Sequence, residues 1–438
     1  MPTPLYDVLK EYAQQSPARF HMPGHKGAFL PMEELVAAAP LDVTELSFNG
    51  NLYEAGEPFD TAQRLWADRL GFESCQFLTG GSTMGIHTAL ALCCTPGEKI
   101  LVDRSCHRAC FHGLALLDLE PVYLERPWLE EEGIIGNILP ENVENLLQKH
   151  PEIKTVCITS PTYSGVLSNI PEIANIVHGR GGKLFVDGAH GAHLPFLGVD
   201  AFAGADVVVV SAHKTLPALG QTALLFTNGF DPDLVRLRAS IYGTSSPSYL
   251  MLASLDTARD YLEREGASAY RQVAQRVEEL RRRFSSLGDG LPLDPTRLTL
   301  RVKDGPAFAQ ELERRGIYPE MEDGGHVVLI CTPQDLGENF SRLEGSLQEL
   351  EGEMGPSKPL PAPHLPTQVM SLRKALFAKS VLRPLALCEG WVAAAQIAPY
   401  PPGIPVVAPG ERITKKELAY FGQIGYNTGL EVRVLAFS

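Results

Sequence analysis

Four consecutive valines, Val207–Val210, stand between Asp206 and Ser211 and leave the chain little choice at that point. β-Branched side chains crowd a helix but pack well on a pleated surface. A continuous apolar run without polar alternation implies a strand covered on both faces. Comparable runs recur at Lys99–Asp103, Pro121–Leu124, Thr155–Thr159, Lys183–Asp187 and Thr222–Thr227, and the valine run itself extends over Asp206–Ser211. Helical patterns lie between them at Thr83–Cys94, Pro140–Lys149 and Pro171–His178. This alternation predicts an α/β fold around a mostly parallel sheet, with right-handed crossovers.

At 438 residues the chain is too long for one compact core. A charge-rich helical pattern from Asp256 to Leu287 leads out of the α/β region. Beyond it, strand patterns at Leu298–Val302 and His326–Cys331 and helical ones near Pro306–Arg315 and Leu347–Gly352 predict a smaller α+β domain. The expected division is 1–288 for an amino-terminal segment plus the large domain and 289–438 for the small one. A proline-rich linker is expected at 354–367. The turn-rich Pro399–Gly403 sits among apolar residues and reads as ordered.

Charge and composition narrow the partners. A formal net charge of -14 would repel nucleic-acid phosphates. No apolar run approaches the roughly 20 residues that span a bilayer, and the opening residues lack the layout of a secretory signal. The eight cysteines form no disulfide framework, so buried free thiols and a cytoplasmic location are expected. Cys106, His107, Cys110 and His112 lack the paired spacing of zinc sites. Pro23-Gly24 would break any helix aligning His21 with His25. No metal site is expected, and HMPGHKG reads as a tight loop.

The residues at strand ends carry more. The valine strand delivers Ser211, His213 and Lys214 to its carboxyl end, where open α/β sheets bind ligands. A partly desolvated lysine there can form an imine with an aldehyde, although a surface lysine at a loop start fits the same pattern. Asp187 closes the preceding strand and is followed by Gly188-Ala189-His190-Gly191. A carboxylate at that place can pair with a protonated pyridine nitrogen; it can also cap a helix. Gly80-Gly81-Ser82-Thr83 opens an apolar helix, a setting that suits a phosphate dianion as well as an ordinary cap. His107 can stack on a cofactor ring or bond locally at a helix start. Phosphate cradle, carboxylate and strand-end lysine follow in the order a pyridoxal phosphate enzyme uses. Neither a P-loop nor a GxGxxG motif competes with that reading.

The segments HMPGHKG, LVDRSCHRACFHGL, VDGAHGAH, SAHKTLPALGQTALL and APYPPGIPVVAPGE together resemble the pyridoxal phosphate-dependent Orn/Lys/Arg decarboxylase family, in family order from about residue 20 to 412. The resemblance implies a fold-type-I, aspartate aminotransferase-like large domain, a smaller carboxy-terminal α+β domain and a homodimer with shared active sites. It implies pyridoxal 5'-phosphate held by Lys214 as a Schiff base, with His213 beside it, Asp187 on the pyridine nitrogen and His107 stacked on the ring. Ser82, Thr83 and Ser211 would bind the phosphate, and Gly81 and His190 would also touch the cofactor. Thr244-Ser245-Ser246-Pro247 resembles the segment that reaches the partner's site, and Glu411 would lie near the substrate's distal end. The implied activity is decarboxylation of arginine, lysine or ornithine to the amine and carbon dioxide, as in polyamine metabolism.

Three departures accompany the resemblance. HMPGHKG begins at residue 21, so the short form without the extra amino-terminal domain is expected. The common DEAHG is DGAHG, with Gly188 in place of an acid, and Ala393-Ala394-Ala395 stands where SAE is frequent. The last two keep another pyridoxal phosphate reaction open: transamination, elimination, or decarboxylation of a non-standard amino acid. A non-catalytic regulator is the remaining alternative.

Overall fold

The computed structural model describes residues 1–288, 290–357, 361–399 and 404–436. Residues 358–360 of the expected linker and 400–403 of the turn-rich segment lie outside them. Numbered along the chain, the principal strands are β1 (Ser74–Leu78), β2 (Lys99–Asp103), β3 (Glu120–Leu124), β4 (Thr155–Thr159), β5 (Lys183–Asp187), β6 (Val207–Val210) and β7 (Ala223–Thr227). They are followed by β8 (Arg297–Arg301), β9 (Met321–Glu322), β10 (His326–Ile330), β11 (Ser380–Pro384) and β12 (Glu431–Leu435). The chain divides into two compact units, Met1–Cys93 with Leu184–Arg271 and Cys94–Lys183 with Gln272–Ser438.

In the first unit the strand order is β1-β7-β6-β5. All four valines of β6 are buried, as an unbroken apolar run requires. β5 and β6 are parallel, with Asp187 opposite Val209, so their carboxyl ends emerge side by side. β7 runs antiparallel to both β6 and β1. The helix Gly81–Cys93 lies on this layer because Gly85 lacks a side chain: a Cβ there would come within 2.6 Å of a Val209 methyl and 2.8 Å of a Leu78 methyl. The amino-terminal helix Pro4–Gln14 is held at its first turn by Asp256, whose Oδ2 accepts the Leu5 and Tyr6 N–H groups at 2.9 and 3.1 Å.

The helical pattern expected from Asp256 begins earlier, at Tyr249, and runs to Tyr261 before a π-helical turn at Leu262–Gly266 and a last stretch, Ala267–Arg283. The earlier start follows from the apolar YLMLA, which packs inward: Tyr249, Leu252 and Ala253 are buried.

In the second unit β4-β2-β3 are all parallel. A separate antiparallel sheet, β8-β10-β9, shares a core with the helices Gly305–Arg314 and Glu338–Glu349. The second of these helices replaces the one expected at Leu347–Gly352, which the chain leaves as the helix end and a 3-10 turn. β11 and β12 pair over a third cluster built on Leu385, Ala393, Val407, Ile413 and Phe421. All eight cysteines are free thiols, and every one except Cys93 is buried. Among the described residues no helix is long and apolar enough to cross a membrane.

Candidate active site

Parallel pairing of β5 and β6 determines where the chemistry-bearing side chains fall. β5 ends on Asp187, which is 3% exposed and accepts the Ala189 N–H at 3.2 Å. The chain then turns rather than entering a helix, so Asp187 closes a strand and caps none. β6 leads through buried Ser211 into the single turn Ala212–Thr215, which carries His213 and Lys214. Lys214 is half-buried and its Nζ lies 2.9 Å from His190 Nε2. It is therefore a strand-end lysine engaged inside the protein rather than a surface one. His213 turns its Nδ1 to the Thr222 carbonyl at 2.8 Å, which requires the proton on that nitrogen. In the neutral ring Nε2 is then the acceptor.

The phosphate-type elements belong to the same unit. Gly81 starts its helix with φ of 66°, a left-handed conformation that suits glycine, and its N–H bonds the Gln221 carbonyl at 2.7 Å. Ser82 is half-buried and Thr83 exposed in the first helical turn. The Ser211 hydroxyl is fully buried and has no hydrogen-bond partner among the described residues. A buried unpaired hydroxyl is costly unless a ligand atom completes it. That orphan, a helix N-terminus with two hydroxyls, a buried carboxylate and an engaged lysine fit pyridoxal phosphate.

Thr244 and Ser245 are exposed, in the turn ahead of helix Tyr249–Tyr261. His107, in the second unit, is the N-cap of Arg108–Leu116, its Nδ1 accepting the Ala109 N–H at 3.2 Å. The local helix-start contact is thus present, and the ring is only half-buried. Glu411 is no surface carboxylate: it is fully buried and sits 3.0 Å from Arg104 Nη2. Burial pushes its carboxyl above the usual range, and the Arg104 guanidinium and the Ala408 N–H oppose that shift. HMPGHKG forms the expected turn, with His21 bonded to the Tyr12 hydroxyl at 2.7 Å and His25 to Asp42 at 3.1 Å. Among the described residues no cluster of three or more His, Cys, Asp or Glu is arranged to hold a metal.

Two features were silent in the sequence. The buried Tyr270 donates its hydroxyl to the Thr215 carbonyl, one residue past Lys214, and its ring lies 5.5 Å from that of His193. Nothing near Tyr270 signals this, since a π-turn upstream sets its helical register. The space at Gly188 is the second. A Cβ there would lie 2.5 Å from Phe202 Cε1, so the phenylalanine ring occupies the place a side chain would need.

The strand layer, the lysine and aspartate at paired strand ends and the phosphate-type helix start define a fold-type-I pyridoxal phosphate enzyme. Family models agree with that class. The major-domain model of Orn/Lys/Arg decarboxylases matches residues 3–314, and the model of their carboxy-terminal domain matches 363–426. The chain belongs to the Orn/Lys/Arg decarboxylase family and is an amino-acid decarboxylase. It is 32% identical to the Bacillus subtilis protein YaaO, over 95% of this chain and 93% of that one. It is 30% identical to the arginine decarboxylase of the same organism, over 95% and 92%. The crystal structure of Francisella novicida lysine decarboxylase superposes with a TM-score of 0.84 at 20% identity, covering 99% of this chain and 81% of that chain.

Proposed function

We propose that the protein decarboxylates a basic amino acid to its amine and carbon dioxide, with arginine the first substrate to test. The reading rests on one observation above the rest: within a chain of this family, Lys214 and Asp187 stand at the carboxyl ends of paired parallel strands, with Lys214 held by His190. Arginine comes first because a relative named arginine decarboxylase aligns over 92% of its own length.

Bound pyridoxal phosphate supplies an electron sink for the bond that breaks as carbon dioxide leaves. Every other role falls to this chain. Lys214 would anchor the cofactor, and Asp187 would keep a proton on the pyridine nitrogen. Ser82, Thr83 and Ser211 would hold the phosphate beside Gly81, and His107 would lie against the ring. Lys214, with His213, returns a proton to the substrate's α-carbon, while His190 orients the lysine amine. Thr244 and Ser245 reach the site of a second subunit, in a homodimer with shared active sites. The exposed Phe20, Met22, Phe29 and Met32 supply apolar surface for such an interface.

The division into a large domain to about residue 288 and a small one from 289 belongs to the same proposal. Free cysteines support a cytoplasmic location, and a net charge of -14 favours cationic substrates over nucleic acid. Phe202 packed at Gly188 favours an unchanged reaction, because it makes that departure a matter of local packing.

Carbon dioxide release from arginine, lysine and ornithine tests the proposal. Release from one of them, lost in Lys214→Ala, is expected. A protein that binds the cofactor covalently but releases carbon dioxide from none of the three would refute the substrate class and leave the cofactor assignment standing.

A further inference from the structure

The two residues that end β2 and follow it, Asp103 and Arg104, enter separate ion pairs within the second unit. Asp103 Oδ2 lies 2.7 Å from Arg126 Nη2, both side chains almost wholly inaccessible. Asp103 Oδ1 accepts the Ser105 N–H at 2.9 Å, and its carbonyl accepts the Cys106 N–H at 3.1 Å. The turn that ends on His107 is therefore pinned from one side.

Arg104 pins it from the other, to a part of the chain some 300 residues away in sequence. Its Nη1 donates to the Pro405 carbonyl at 2.7 Å and its Nη2 to the Val406 carbonyl at 3.2 Å. The same Nη2 meets Glu411 Oε2 at 3.0 Å. The guanidinium lies over the rings of Phe111 and Tyr123, 5.5 and 5.3 Å from their centroids, as its planar cation favours. Glu411 Oε2 also accepts the Ala408 N–H at 2.6 Å, closing its own loop. Backbone bonds extend the contact: the Ala393 N–H donates to the Glu411 carbonyl at 2.9 Å, and the Gly410 N–H to the Ala393 carbonyl at 2.8 Å.

A carboxylate with no exposed surface, paired with a guanidinium and a backbone N–H, offers no open face to a substrate's distal cation. A buried charge of this kind persists only with its partner, because removing one member leaves the other desolvated and unpaired. We infer that Arg104 and Glu411 are a positioning pair. They lock the segment Pro405–Glu411, and the Ala393–Ala395 stretch bonded to it, onto the turn that presents His107. Glu411 acts through Arg104 and does not select the substrate. The proposed function enters only in the role given to His107, so the pairing is tested without turnover.

Hydrogen exchange on the full chain without added cofactor reads the pair directly, in peptides covering 404–412 and 105–110. Glu411→Gln and Arg104→Lys should each speed exchange in both peptides by about tenfold or more, as local opening becomes easier. Lysine keeps the charge and the fold but cannot span two carbonyls and a carboxylate. The doubly apolar Arg104→Met/Glu411→Leu should exchange more slowly than either single loss of partner, the sign of a coupled pair. With pyridoxal phosphate and a basic amino acid supplied, Arg104→Lys and Glu411→Gln should lower kcat together and leave KM within about twofold. The inference is overturned if each change loosens only its own segment. It is equally overturned if Glu411→Gln leaves exchange unchanged and raises KM about tenfold or more, which would make Glu411 a substrate ligand.

Discussion

Lys214 Nζ lies 2.9 Å from His190 Nε2, and that contact joins the segments that follow two neighbouring parallel strands. A histidine 5% exposed and bonded to a lysine amine restricts where that amine can point. Replacing His190 with Leu should weaken pyridoxal phosphate binding about tenfold, near 1.4 kcal/mol, the scale of one lost hydrogen bond. Lys214→Ala should remove the visible absorption of the bound cofactor altogether. Titration of the cofactor-free protein, followed by absorbance, checks both. Unchanged affinity in the His190 variant would show that the contact orients nothing.

The hydroxyl of Ser211 gives a test that separates binding from folding. It is buried without a partner among the described residues, so Ser211→Ala removes an unsatisfied group and should leave the thermal midpoint of the cofactor-free protein unchanged or slightly higher. If the hydroxyl completes a phosphate site, the same change should lower cofactor affinity by about tenfold, or ~1–2 kcal/mol. Differential scanning of the two forms with and without cofactor distinguishes these outcomes.

Gly188 and Phe202 form a packing unit. Gly188→Glu, which restores the acid common in the family, forces a side chain into space held by a ring 2.5 Å from its Cβ. Overpacking of this kind should destabilise the protein by ~1–3 kcal/mol. Phe202→Ala, added to it, should recover part of the loss, a non-additivity that denaturant unfolding of the single and double variants measures. Simple addition would show that the ring and the glycine are independent.

Asp256 makes stability depend on pH. Burial raises its carboxyl to about 6, only partly offset by the Tyr6 and Leu5 N–H groups and the Arg259 guanidinium, with the Asp7 charge adding to the rise. A carboxyl whose folded pKa is raised stabilises the fold when protonated. Its contribution is complete below about 4 and disappears as pH rises through about 6. Relative to Asp256→Asn, the wild type should therefore lose ~1–3 kcal/mol between those limits. Thermal midpoints of both proteins across pH 4 to 8 give the difference. Parallel curves would mean that Asp256 does not titrate in this window.

The amino-acid sequence by itself determined the strands and the residues at their ends. Unbroken apolar runs such as Val207–Val210 specify buried strands by local chemistry alone, and Asp187 and Lys214 are legible because they follow such runs directly. Other features depend on distant partners. Antiparallel β7 looks like any buried strand, because direction leaves no mark on an apolar run. Tyr270 meets Thr215 only after a π-turn resets its helix. Glu411 is an ordinary acid until the fold buries it against Arg104. The empty place at Gly188 is visible only once Phe202 fills it. Periodicity and strand-end chemistry are written within a few residues, whereas burial, register and the pairing of charges are decided by which distant segments the tertiary structure brings together.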